Sequence, residues 1–83
     1  MLDTSKKKNL DQEIHRLCDL FSQGFVQEVL DQTKEIMQEF PTSTALHIIK
    51  GDAHTKLKQF NNGIQSYKRA IELKPDFAAS HFN

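Results

Sequence analysis

Two histidines, one cysteine and a pair of acidic side chains hold the spacings that could do chemistry in this 83-residue chain. His47 and His54 stand seven residues apart, two turns along one helix face. A helical zinc site needs its histidines at i and i+4. The wider spacing therefore points to packing histidines, each with one polar edge satisfied, rather than to a metal site. His15 and His81 have no partner that spacing can place. Cys18 is the only cysteine, which excludes an internal disulfide framework and a cysteine-rich zinc site. On a helix its neighbours are Ile14 and Phe21, with no basic group to activate the thiol, so Cys18 reads as a small groove or core residue. Glu35 and Glu39 read as a solvated helix face. No sharp-turn nucleophile motif is present, and three glycines leave little room for a phosphate-cradling loop. The expectation is a chain with no catalytic residue, no metal site and no cofactor; it is not read as an enzyme.

The composition supports that reading. Apolar residues make up 37% and charged residues 27%, a balance for one small helical domain rather than a disordered chain. The net charge is zero, but it is unevenly placed. Residues 10–43 carry two basic against seven acidic side chains, a net of −5; residues 44–77 carry six against three, a net of +3. Nucleic acid calls for a continuous basic face, so no nucleic-acid partner is expected. No apolar run approaches the roughly 18 residues of a spanning helix. The lysine-rich start, Lys6 to Lys8, has no apolar segment behind it and reads as a flexible leader over residues 1–9. No membrane partner and a cytoplasmic location are expected.

These residues must be positioned by helices. Leu10, Ile14, Leu17 and Phe21 recur at spacings of four, three and four, one stripe of an amphipathic helix. Asn9 or Asp11 can cap it, and Gln23-Gly24 stops it. A second stripe runs from Val26 through Leu30, Thr33 and Ile36 to Phe40, ending at Pro41. Thr42-Ser43-Thr44 offers caps for a third helix carrying Leu46, Ile48, Ile49, Ala53 and Leu57. A break near Lys58-Gln59 precedes a fourth stripe, Phe60, Ile64, Tyr67, Ala70 and Leu73, ending before Pro75. Short connections imply antiparallel helical hairpins.

The pattern repeats. Pro41 and Pro75 are 34 residues apart, and Val26 matches Phe60, Leu30 matches Ile64, Met37 matches Ile71, and Ile14 matches Ile48 at the same offset. The second unit carries Gly51, Phe60, Gly63, Tyr67, Ala70 and Pro75 at spacings that resemble the tetratricopeptide repeat (TPR) family. His47, Lys50 and His54 depart from its Trp, Leu and Tyr positions. The first unit is a looser match, with Leu17 in place of the family's glycine. The resemblance implies an all-α fold, helix–turn–helix repeats stacked as a short right-handed TPR solenoid. Its units are residues 10–43 and 44–77, with residues 78–83 as the truncated start of a third. Gly51 and Gly63 would let two helix backbones approach, with Tyr67 filling the gap beside them.

The resemblance also implies a role, a scaffold module that binds a peptide or protein. Transferred by match, the groove is Asp11, Ile14, Cys18, Phe21 and Ser22 from the first unit and Ala45, Ile48, Asp52, Thr55 and Lys56 from the second, with Ala79 and Phe82 beyond. The family's clamp for a terminal carboxylate is absent: its positions hold Ile14, Cys18 and Ile49, and only Asn83 fits. Two units and a stub without a polar cap resemble a piece of a longer repeat protein. Phe60, Ile64, Tyr67, Ile71 and Phe82 would then form an uncovered face, and the chain is expected to self-associate through it as a homo-oligomer. The alternative is the N-terminal substrate-binding or dimerisation region of a larger enzyme, such as a TPR-containing glycosyltransferase, sulfotransferase or methyltransferase.

Overall fold

The computed structural model describes residues 9–76. Among them are four α-helices and no strand: α1 (Leu10–Ser22), α2 (Val26–Ile36), α3 (Thr44–Lys56) and α4 (Phe60–Leu73). The chain is all-α, built from two antiparallel hairpins, α1–α2 and α3–α4. Helix α3 touches all three others, whereas α4 packs on α3 alone.

The 34-residue period is written into the backbone. Asn9 caps α1 by accepting a bond from the Gln12 N–H at 3.3 Å; Ser43 caps α3 from Leu46 N–H, also at 3.3 Å. Both hairpin turns are left-handed, at Gly24 (φ 91°) and Lys58 (φ 64°). Around Gly24 the Phe25 N–H donates to the Leu20 carbonyl at 3.0 Å; around Lys58 the Gln59 N–H donates to His54 at 2.8 Å. This is the same helix-terminating pair of bonds, one repeat apart.

Helix α2 ends four residues earlier than its apolar stripe predicts. After Ile36 the backbone tightens, with Gln38 N–H on the Glu35 carbonyl and Glu39 N–H on Ile36. Pro41 is the physical reason: its ring disfavours helical backbone at Phe40, and the chain tightens before reaching it. Lys74 is extended ahead of Pro75 for the same reason.

The core lies where α1, α2 and α3 meet. Leu17, Val29, Leu30, Ile36, Leu46 and Ala53 are buried there, with Leu10, Ile14, Leu20, Phe21 and Ile49 packed around them. Each such aliphatic side chain contributes about 1.5–3 kcal/mol by leaving water. Helix α3 has buried residues around most of its circumference because it is flanked on several sides.

The α3–α4 interface uses small and polar groups instead. A Cβ on Gly51 would stand 2.5 Å from Tyr67 Cε1, and one on Gly63 would stand 2.6 Å from Thr55 Oγ1. The two glycines therefore set the approach of the helices, with the Tyr67 ring seated over Gly51. Ser66 and Ala70 complete the buried edge of α4.

Candidate functional site

The expected groove belongs to the first helix of each unit, and α1 and α3 do lie against each other. Its members differ in what they offer. Asp11, Cys18, Ser22 and Lys56 are exposed; Ile14, Phe21, Ala45, Asp52 and Thr55 are half-buried. Ile48 is only 2% exposed. That corrects its expected place as an open apolar anchor: on the central helix, its side chain is consumed by packing. Ala79 and Phe82 lie outside the described residues.

Several polar members already have internal work. Ser22 Oγ donates to the Cys18 carbonyl at 3.0 Å, and Thr55 Oγ1 donates to the Gly51 carbonyl at 2.8 Å. The Tyr67 hydroxyl donates to Asp52 Oδ1 at 2.5 Å. Burial first, then the bond to Asp52 and its negative charge, pushes the Tyr67 hydroxyl up to about 12, against an opposing bond from Thr55. Tyr67 is thus bound into the hairpin. This corrects its expected place on the open face: its ring covers Gly51 rather than facing outward.

The rest of that face is open. Phe60 is 56% exposed, Ile64 50% and Ile71 44%. One repeat earlier, Val26 is 8% and Leu30 2% exposed, because α3 lies against α2. Phe25 is a further exposed aromatic, at the first hairpin turn. The sequence signal for it was its repeat equivalent, the polar Gln59.

Among the described residues no three or more His, Cys, Asp or Glu side chains cluster so as to hold a metal ion, and no helix is long and apolar enough to cross a membrane. His47 and His54 are both buried packing residues. His47 Nε2 donates to the Pro41 carbonyl at 2.9 Å, and His54 Nδ1 bonds Gln59 Oε1 at 2.7 Å.

A family model described as a TPR repeat matches residues 51–83, from the middle of α3 through α4 and onward. Over that stretch, on a scaffold of helical hairpins, the chain is similar to the TPR family. A match of this kind supports a general protein-interaction module. No curated protein and no solved structure matches the chain.

Proposed function

We propose that the chain binds a peptide or protein segment along α1 and α3, and that a second copy of the chain covers the open face of α4. One observation carries the second statement. Positions that α3 buries in the first unit, Val26 and Leu30, recur as the half-exposed Phe60 and Ile64 in the second. An amphipathic helix face of this kind gains about 1.5–3 kcal/mol for each large side chain it buries. Charge favours a second copy as the occupant. The unit that carries the open face has a net charge of +3, and the other unit has −5. A head-to-tail contact brings opposite signs together, and such a contact can extend beyond two copies. The peptide surface rests on the half-buried Ile14 and Phe21, edged by Asp11, Ser22 and Lys56.

Light scattering on a sizing column, across a hundredfold range of concentration, tests the association. The expected result is mass rising with concentration for the natural sequence, and a monomer for Ile64→Asp and Ile71→Asp. Both changes are at exposed positions, and circular dichroism will verify that helicity is kept. Assembly unchanged in both variants, or a monomer at every concentration, contradicts the assignment.

A further inference from the structure

A cleft of about 380 Å³ opens over α3, between α2 and α4, and cations from all three helices line it: Lys34, Lys50 and Arg69. No carboxylate is among its lining residues. Its walls also include His47, His54 and Ser66, each more than nine-tenths buried. The Ser66 hydroxyl makes no hydrogen bond among the described residues, and His47 and His54 turn their second ring nitrogens away from their bonds to Pro41 and Gln59. Lys34 and Lys50 form no ion pair among the described residues, and Arg69 holds the exposed Glu72 through Nη1 alone, at 3.3 Å.

The repeat supplies an internal control. A cleft between α1 and α2 is lined by Arg16, Glu28, Asp31, Gln32 and Glu35. Thirty-four residues on, those positions are Lys50, Asn62, Gln65, Ser66 and Arg69. The backbone offers the same recess twice, and the side chains reverse its charge. The first recess is bridged, because Arg16 on α1 bonds Gln32 on α2 across it, as well as Glu13 on its own helix. The second has the cations and the Ser66 hydroxyl without the carboxylates.

We propose that the second recess binds a phosphoryl group. A phosphoryl group carries close to two negative charges and three terminal oxygens. Three cations from three helices, with the Ser66 hydroxyl as a further donor, match that demand. A carboxylate, with two oxygens and one charge, leaves part of the donor set unmet. The group can come from a phosphorylated side chain of a protein partner or from free phosphate, and the two are separable.

The test is a titration of the full chain at constant ionic strength, followed by NMR of the His47 and His54 rings and the backbone amides. The probes are inorganic phosphate, a phosphoserine hexapeptide, and the same hexapeptide with glutamate in place of phosphoserine. Saturable shifts centred on His47, His54 and Ser66 are expected with the first two probes. Tighter binding of the phosphopeptide than of phosphate marks a protein-borne group; the reverse marks the free anion. Lys50→Gln and Arg69→Gln should each weaken binding about tenfold, the loss of one charge-assisted bond. Lys74→Gln, away from the cleft, should leave it unchanged. Equal binding of the glutamate peptide, shifts that do not saturate, or indifference to both cleft variants overturns the proposal. None of these readouts depends on self-association, which Ile64→Asp is expected to abolish separately.

Discussion

The two hairpins share a backbone and differ in how they use it. Caps, turns and helix starts recur at 34 residues, yet the interiors are filled from opposite sides. In the first unit Leu17, on the first helix, is fully buried, and its counterpart across the hairpin is the small Thr33. In the second unit the equivalent pair is Gly51 and Tyr67, so the bulk has moved to the second helix. The same holds outside the core: one recess is acidic and self-bridged, the other cationic. A helical hairpin thus constrains the volume shared by two facing positions more tightly than the residue at either, as close packing requires.

The sharpest way to break this comparison is to install the first unit's residue in the second. Gly51→Leu forces a branched side chain into the Tyr67 ring and should cost about 3 kcal/mol. Adding Tyr67→Thr recreates the first unit's pair and should recover most of the loss. Urea denaturation reads both, and no recovery in the double variant would refute the idea of exchanged volume. A smaller effect tests the turns. Gly24 and Lys58 hold the same left-handed conformation, which a Cβ disfavours by about 1–2 kcal/mol. Gly24→Ala should therefore lower stability by about 1 kcal/mol, and Lys58→Gly should raise it by a similar or smaller amount. Melting temperatures moving in the same direction would show that the turns are not equivalent. The smallest effect lies in alkaline solution. The Tyr67 hydroxyl rises from 10.0 to about 12 on folding, so the folded state favours the protonated form. That contribution is complete below pH 10 and is lost as pH climbs through about 12. Tyr67→Phe should flatten the fall in stability over that window, measured as the urea midpoint against pH. An identical slope in both proteins would mean that the Asp52 bond does not couple to folding.

Much of the framework was legible in the residues. The stripe from Leu10 to Phe21, the stop at Gln23-Gly24, a cap within Thr42-Ser43-Thr44 and the break near Lys58-Gln59 all follow from local rules of spacing and capping, and the structure makes Ser43 the cap. The close approach at Gly51 and Gly63 was readable through the resemblance to the TPR family, which sets those two positions on facing helices. The early end of α2 was not, since its apolar stripe continues to Phe40 and the constraint from Pro41 acts several residues back. The burial of Ile48 escaped for a different reason. Its helix is flanked on several sides, and a one-dimensional stripe does not tell how many neighbours a helix has. The cationic recess was least legible of all. Lys34, Lys50 and Arg69 each look like part of a solvated helix face, and only packing brings them to one place.

The central claim is that the face left open on α4 is the one a second copy covers, head to tail. Cys18 on α1 is exposed and is the chain's single cysteine, which makes it a site for a spin label. Mixing spin-labelled chain with an unlabelled, ¹⁵N-enriched copy reads the contact between molecules directly. The account predicts selective broadening of amides around Ile64 and Ile71, abolished by Ile64→Asp in the enriched copy. Broadening confined to α1, or none at concentrations where the mass shows assembly, would contradict it.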